Sequence, residues 1–285
     1  MGLPIRKIIF LSEGEKLENL LEYTYLYKYQ SCDNIVKALT EAYGTLEHMN
    51  DVYGIKENKG KLIGVYSPIN RCGKTALALS LANILGEETT SLFISLDTFS
   101  AFEKLFGVPA KDLSDLMYYY LQNPANLDIH LKTVVSRIYQ IDYIHPVRYC
   151  KDLWDIPVSD WIRLIREICN TKRYENIVID ISNGFGQLYD VLHICDLIYV
   201  IKNQDFISGM KLQQFQESIL HTDFIDILDK IKYVDAISPI EASTSLIYQE
   251  ELFMGTFRKK TAYMLGDSQK EKQQNNLQIM DPGYG

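Results

Sequence analysis

The sequence predicts an α/β protein in which a mostly parallel, doubly wound sheet is covered by helices on both faces. Short runs of consecutive apolar residues alternate along the chain with longer segments that have helical composition and periodicity. The runs are apolar throughout, as expected for strands buried on both faces. Apolar residues make up 47% of the 285 residues, which is enough to form a substantial core.

The first elements belong to a small N-terminal fragment. Residues 8–11 and 25–29 are predicted to be short strands, and residues 33–43 a helix. A β-β-α fragment of this size buries too little apolar surface to be stable alone. The polar residues 56–61 then predict a linker. We therefore expect a fragment at 1–56, followed by a larger domain at 57–266.

The larger domain alternates predicted strands and helices. Strands are predicted at 62–66, 91–96, near Tyr143, and at 176–181, 197–201 and 232–236. Helices are predicted at 74–85, between about 113 and 139, at 160–171 and at 207–220. Residues 267–285 are rich in Lys, Gln and Asn and predict a flexible tail.

Charge and cysteine usage limit the class of protein. The formal net charge of −8 indicates no strong contact with nucleic acid or with anionic membrane. The five cysteines are odd in number and scattered through apolar segments, which favours reduced thiols. No apolar run approaches the roughly 18 residues that span a bilayer. We expect a cytoplasmic protein without a His/Cys metal site.

Residues 67–75 resemble a phosphate-binding loop. They follow a predicted buried strand and precede a helix rich in Ala and Leu, so backbone N–H groups would converge at the helix N-terminus. In the pattern G-x-x-x-x-G-K-[ST], Lys74 would meet β/γ-phosphates and Thr75 would ligate Mg²⁺, but Pro68 replaces the first glycine. An ordinary helix N-terminus also explains Gly-Lys-Thr, although the flanking elements favour the phosphate site. The predicted nucleotide-binding residues are Asn70, Arg71, Cys72, Gly73, Lys74, Thr75 and Ala76.

Two carboxylates end predicted strands. Asp97 follows the strand at 91–96, and Asp180 ends the apolar run 176–179. Both would lie at the carboxyl edge of the sheet, where ligands bind in open α/β folds. Either residue alone is also typical of a helix cap or a solvated turn. Together with the loop they predict Lys74, Asp97 and Asp180 as catalytic residues and Thr75, Asp97 and Asp180 as Mg²⁺ ligands.

These motifs resemble the MinD/ParA-type P-loop ATPases, most closely the CpaE/TadZ-like branch, over roughly residues 61–220. Lys74 and Thr75 match the family's phosphate lysine and Mg²⁺-binding threonine, and residues 177–184 are similar to its Walker B stretch. Residues 93–97 resemble its D-x-D signature with Ser95 in place of the first Asp, and Asp97 keeps the position that supports hydrolysis. The resemblance implies ATP and Mg²⁺ as ligands.

The chain departs from this family at its signature lysine, which reaches the partner subunit's nucleotide and falls on Ile69. An aliphatic side chain supplies no charge there, which puts sandwich dimerisation and fast hydrolysis in doubt. Arg71 either substitutes for this lysine, since a guanidinium binds phosphate bidentately, or points into solvent or pairs with an acid.

Residues 28–31 resemble the end of a receiver domain, with Lys28 as the receiver lysine. We expect a shortened chain, for which phosphorylation control is not predicted.

The leading functional hypothesis is an ATP-binding, weakly hydrolysing ATPase that acts as a nucleotide-dependent switch for localisation or assembly. The resemblance implies protein partners of a pilus or secretion apparatus and a homodimer as the oligomer to test. A catalytically inactive pseudo-ATPase that serves as an interaction scaffold is the alternative. A small-molecule kinase or synthetase of related fold remains a third hypothesis, for which the sequence shows no acceptor site.

Overall fold

The computed structural model describes residues 9–13, 24–30, 35 and 59–266, and the chain divides into two compact units, Met1–Asn58 and Lys59–Gly285. In the first unit, β1 (Ile9–Ser12) and β2 (Thr24–Tyr27) pair in parallel. Both lie close to the predicted strands. The predicted helix at 33–43 falls outside the described residues except for Ile35, which is helical.

The second unit is built on a seven-stranded sheet. Its strands are β3 (Lys61–Tyr66), β4 (Ser91–Leu96), β5 (Val135–Ile138), β6 (Ile141–Ile144), β7 (Asn176–Ile181), β8 (Leu197–Lys202) and β9 (Ile231–Asp235). They are ordered β5-β6-β4-β7-β3-β8-β9, and all neighbouring strands pair in parallel except β5 with β6. The predicted fold class, a mostly parallel α/β sheet, is confirmed.

Helices connect the strands and flank the sheet. They are α1 (Lys74–Leu85), α2 (Phe102–Phe106), α3 (Leu113–Gln122), α4 (Leu127–Val134), α5 (Cys150–Trp154), α6 (Val158–Asn170), α7 (Leu188–Ile194), α8 (Phe206–Leu220), α9 (Ile227–Lys230) and α10 (Ser245–Phe253). Residues 256–266 are also helical. None of the helices in the described part of the chain has the length and apolar character needed to cross a bilayer.

The core has one layer on each side of the sheet, because successive strand residues point to opposite faces. In β4, Leu92, Ile94 and Leu96 pack with α3, α4 and α6 on one face. Phe93 points to the other face and packs with α1, α2 and α10. On that face α1 is enclosed on all sides, since each residue from Ala76 to Asn83 is buried. The sheet therefore has helices on both faces.

The strand register brings the predicted acids to the loop after β3. Asp180 of β7 pairs with Val65 of β3 on one side and with Ser95 of β4 on the other. Since the three strands are parallel, their carboxyl ends lie at one edge of the sheet. Asp97 and the loop after β3 lie just beyond that edge, where α1 begins.

Two parts of this unit differ from the sequence prediction. The helical segment predicted up to about residue 139 ends at Val134, and β5 follows as one arm of a hairpin with β6. Tyr139 allows this turn by adopting a left-handed conformation (φ 47°). The sequence also did not predict the short helices α2, α5, α7 and α9, nor α10 and the helical residues 256–266. The predicted tail, 267–285, lies outside the described residues.

Candidate functional site

The loop that joins β3 to α1, residues 67–73, begins with a buried serine. Ser67 donates a hydrogen bond from Oγ to the Ile201 carbonyl of β8 (2.8 Å) and accepts one from the Ile69 N–H (3.1 Å). These bonds tie the start of the β3–α1 loop to the neighbouring strand. Pro68, which replaces the first glycine of the phosphate-loop pattern, lies directly after this anchor and has no N–H to satisfy.

Ile69 points into the core. Its side chain is 8% exposed and packs with the apolar cluster around α1. Cys72 is buried beside it and donates a hydrogen bond from Sγ to the Ile69 carbonyl (3.3 Å). Asn70 and Arg71 are exposed between them. Ile69, the residue on which the resemblance places the signature lysine, is therefore an apolar anchor of the β3–α1 loop in this chain.

The end of the β3–α1 loop leaves the first turn of α1 open. Arg71 (φ 58°) and Gly73 (φ 79°) both have left-handed backbones, and Gly73 is the N-cap residue. Glycine adopts this conformation without the penalty of a Cβ atom. Among the described residues, no side chain caps α1 and no acid occupies its first turn. The N–H groups and positive end of the helix dipole can therefore receive an anion.

Lys74, Thr75 and Asp180 form a compact cluster at this helix end. Thr75 donates a hydrogen bond from Oγ1 to Asp180 Oδ2 (2.7 Å). Lys74 Nζ donates to the Ile181 carbonyl (2.6 Å) and lies 3.6 Å from Asp180 Oδ1. The sheet edge thus holds a carboxylate with an ammonium group near one of its oxygens and a hydroxyl bonded to the other.

Asp180 is fully buried, with 0% of its surface exposed. Burial raises the pKa of its carboxyl group, and the neighbouring Lys74 ammonium partly opposes this shift because it favours the charged form. Oδ1 has no hydrogen-bond partner among the described residues. A buried carboxylate oxygen that accepts no hydrogen bond lowers the stability of the folded protein unless another group satisfies it.

Asp97 reaches the same region from β4. Its N–H donates a hydrogen bond to Ser95 Oγ (3.2 Å), and Ser95 Oγ in turn donates to Asp180 Oδ2 (3.3 Å). Asp97 is partly exposed and also raises the pKa of Asp180 through charge repulsion. The two carboxylates are therefore near each other, but one is enclosed in the sheet and the other faces the opening.

The loop after β7 contributes residues that the sequence prediction did not include in the site. Asn183 donates a hydrogen bond from Nδ2 to Asn70 Oδ1 (3.1 Å), which links this loop to the β3–α1 loop. The Gly184 N–H donates to Ser182 Oγ (3.1 Å), and Trp154 of α5 donates from its indole to the Gly184 carbonyl (3.3 Å). The contact between the two loops closes one side of the site.

These groups surround a cleft of about 590 Å³. That volume is within the range of about 300–1,000 Å³ that is usual for small-molecule sites. The cleft is lined by Ile69, Asn70, Arg71, Cys72, Gly73, Lys74, Thr75, Ala76, Asp97, Ser182, Asn183, Gly184 and Tyr248. All predicted site residues thus line the cleft or, in the case of Asp180, contact the residues that do. Their roles in binding and catalysis stay predictions.

Tyr248 could not be found from the sequence because it belongs to α10, a helix that was not predicted. Its pKa is raised by burial, so the phenol is neutral. The one available signal was Thr244, a residue type typical of N-caps, which does cap α10 by accepting a hydrogen bond from the Ile247 N–H (3.3 Å). Asn183 and Ser182 were visible in the Walker B-like stretch, but nothing in their spacing indicated contact with the loop.

Comparison with protein-family models and with curated protein sequences gives no match. Solved structures do match. A ParA family ATPase from Chlorobium tepidum TLS is similar with a TM-score of 0.53 and 18% identity, covering 69% of this chain and 81% of that protein. The chain shares the fold of ParA-type P-loop proteins.

Two further structures have the same fold at low identity. A plasmid partition protein from Borrelia burgdorferi has a TM-score of 0.52 and 16% identity, covering 74% of this chain and 99% of its own. The kinase domain of VpsO has a TM-score of 0.50 and 16% identity, covering 74% of this chain and 100% of its own. These proteins have different functions on one fold, so the function of this chain has to be argued from its site.

Proposed function

We propose that the cleft binds ATP with Mg²⁺ and hydrolyses it slowly, and that the bound nucleotide acts as a switch. The observation that supports this most is the cluster at the start of α1. Lys74 and Thr75 line one cleft at a helix N-terminus that no side chain caps, and both contact Asp180. Such a combination is suited to the terminal phosphates of a nucleoside triphosphate.

The donor set also fits a divalent cation. Thr75 Oγ1 and Asp180 are oxygen ligands, which Mg²⁺ prefers, and Oδ1 of Asp180 accepts no hydrogen bond from the described residues, although the Lys74 ammonium lies 3.6 Å away. Thr75, Asp97 and Asp180 would hold the ion. A bound Mg²⁺ would neutralise negative charge on the phosphates. Lys74 would then be free to turn from the Ile181 carbonyl toward phosphate oxygens.

Asp97 is the residue proposed to support hydrolysis. It faces the opening and belongs to the lining of the cleft, whereas Asp180 is enclosed. A carboxylate in that position can orient a water molecule toward the terminal phosphate. Ser95 stands where the family's D-x-D signature has its first Asp, and Ile69 stands where the family has its signature lysine. We therefore expect ATP turnover to be slow.

Calorimetric titration with Mg-ATP tests the binding step. We expect the full-length protein to bind, and Lys74→Ala to weaken binding at least tenfold, since a charge-assisted hydrogen bond contributes about 1.5–3 kcal/mol. Lys260→Ala, at an exposed position of the helical residues 256–266, is the matched control and should bind like the parent. Equal affinity in Lys74→Ala and Lys260→Ala would refute the proposal.

Lys74→Ala also leaves Asp180 without its nearby cation, so its stability needs a separate check. The double variant Lys74→Ala/Asp180→Asn removes that buried charge. Since Asp180 is itself a proposed Mg²⁺ ligand, binding is measured with tripolyphosphate without Mg²⁺ and compared with Asp180→Asn alone. We expect the double variant to regain thermal stability and to bind tripolyphosphate more weakly than Asp180→Asn does. Recovery of binding together with stability would show that Lys74 acts on folding and not on phosphate.

A catalytically inactive pseudo-ATPase that acts as an interaction scaffold is the second candidate. Ile69 favours it, because an aliphatic side chain that is buried in the core supplies no charge to a partner's nucleotide. Phosphate release that disappears in Asp97→Ala would exclude this candidate. Tight Mg-ATP binding without phosphate release would support it.

The remaining parts of the proposal follow from the resemblance to MinD/ParA-type ATPases noted above. We propose that the protein is cytoplasmic and that its partners belong to a localisation, pilus or secretion assembly. A homodimer is the oligomeric state to test. The domain limits 1–56, 57–266 and 267–285, with a receiver-like first part, are likewise proposals. Light scattering with and without Mg-ATP would test the dimer, which a constant monomer mass would contradict.

A further inference from the structure

Tyr248 is the one aromatic side chain among the described residues that line the cleft. The rest of the lining is polar, small or, like Ile69, turned into the core. The proposed phosphate end is formed by the first turn of α1, by Lys74 and by the two carboxylates. Tyr248 therefore brings an aromatic side chain to a site whose other residues suit charged groups.

Tyr248 packs against the apolar cluster around α1, on a helix that other contacts hold in position. Next to Tyr248 in α10, Gln249 donates a hydrogen bond to the Leu105 carbonyl of α2, and Asn83 of α1 donates to the Phe253 carbonyl (3.3 Å). Leu252 and Phe253 are buried against α1 and α2. A ring that is fixed by its own helix loses little conformational freedom when it contacts a ligand.

We propose that Tyr248 is the stacking surface for the base of the bound nucleotide and that it favours purines over pyrimidines. This inference rests on the proposed nucleotide-binding function. Every base has an apolar π-face that stacks on an aromatic ring, and a purine offers the larger face. Stacking alone does not read the hydrogen-bonding edge of a base, so ATP and GTP should bind with similar affinity.

The test compares three ligands: Mg-ATP, Mg-CTP and Mg-tripolyphosphate, which lacks base and ribose. Dissociation constants are measured for the full-length protein, for Tyr248→Ala and for Tyr248→Phe. Tyr263→Ala is the matched control, because this tyrosine is 73% exposed and lies outside the cleft lining. Thermal unfolding of each variant shows whether it is folded.

We expect Tyr248→Ala to weaken Mg-ATP binding roughly tenfold, which is the usual effect of removing one base–aromatic stack. The loss should be smaller for Mg-CTP and absent for Mg-tripolyphosphate. Tyr248→Phe keeps the ring and should bind like the parent, as should Tyr263→Ala. If Tyr248→Ala unfolds, Tyr248→Leu keeps comparable bulk without the ring and should show the same pattern.

Other outcomes overturn the inference in distinguishable ways. Unchanged Mg-ATP affinity in Tyr248→Ala, with binding still lost in Lys74→Ala, would reject the stacking role and leave the proposed function intact. Equal weakening of Mg-ATP and Mg-tripolyphosphate would show that the residue acts through the shape of the phosphate end. A parent protein that binds neither ligand would refute both the inference and the proposed function.

Discussion

Ser67 anchors the start of the β3–α1 loop through two hydrogen bonds, one donated to Ile201 and one accepted from Ile69. Ser67→Ala leaves a buried carbonyl and a buried N–H without partners. We expect it to lower the free energy of unfolding by about 1–3 kcal/mol, because unsatisfied buried polar groups carry the full cost of desolvation. Chemical denaturation followed by circular dichroism measures this change.

Ser80 provides the control for this prediction. It is fully buried in α1, but its Oγ has no hydrogen-bond partner among the described residues. Ser80→Ala removes an uncompensated hydroxyl and has the higher helix propensity, so the variant should be as stable as the parent or more stable. Equal losses in Ser67→Ala and Ser80→Ala would contradict the importance of the Ser67 bonds.

Asp180 is a site residue whose proposed role lowers the stability of the ligand-free protein. Its carboxylate is enclosed, and burial raises its pKa more than the Lys74 ammonium and the Thr75 hydroxyl lower it, which means that the charged form is disfavoured without a further cation. We expect Asp180→Asn to raise the melting temperature of the ligand-free protein while removing any further rise on addition of Mg-ATP. Differential scanning fluorimetry measures both effects. A variant that melts lower and still responds to Mg-ATP would refute this assignment.

At the scale of single residues, the sequence indicated which side chains come together at the cleft. Gly73, Lys74 and Thr75 form a contiguous motif between a strand and a helix, and each acid follows an apolar strand, so local patterns were enough to predict them. The burial of Ile69 and the hydrogen bond between Asn70 and Asn183 depend on how distant segments pack, and no local pattern reports that.

His145, which follows β6, makes the packing of two elements dependent on pH. It is buried against Phe102 of α2 and Tyr143 of β6, and this burial lowers its pKa, although Asp112 and Glu103 act in the opposite direction. The unfolded chain therefore binds a proton at a higher pH than the folded chain. Stability from this group is complete above the ordinary value of 6.5 and is lost as the pH falls below it.

We expect the free energy of unfolding to fall between about pH 7 and pH 5, and His145→Leu to make that fall shallower, because the variant has no proton to gain there. Denaturant titrations at several pH values measure the slope. His130→Leu is the control, since His130 is partly exposed on α4 and shows no such burial. An unchanged slope in His145→Leu would contradict the prediction.

Strands and helices were predicted best where one or both of their faces are uniformly apolar. Strands β3, β4, β7 and β8 are buried on both faces, and their consecutive apolar residues are visible without knowledge of their neighbours. β5 is a four-residue strand that directly follows α4, and it is defined by pairing with β6, which is a tertiary contact. The short helices are likewise too short to be stable alone, so their stability comes from tertiary packing.

For the whole molecule, ligand binding and folding should be linked. A ligand that binds the folded protein alone raises the free energy of unfolding by about 2.7 kcal/mol at a concentration of 100 times its Kd. We expect Mg-ATP at such a concentration to raise the melting temperature of the parent and to raise that of Lys74→Ala by about half as much or less, since a tenfold weaker Kd leaves about 1.4 kcal/mol. Thermal unfolding with Mg²⁺ alone is the reference. An equal shift in both proteins would place the nucleotide elsewhere.

The enclosure of α1 has a consequence for how this chain changes over evolution. Ala78 and Ala82 are fully buried between the sheet and the neighbouring helices, so a larger side chain at either position would be overpacked. Selection for a stable fold alone would therefore preserve this helix. Lys74, Thr75 and Asp180 depend on one another and not on the space around them, so a descendant without the proposed nucleotide site would lose these polar residues together while its alanines remained.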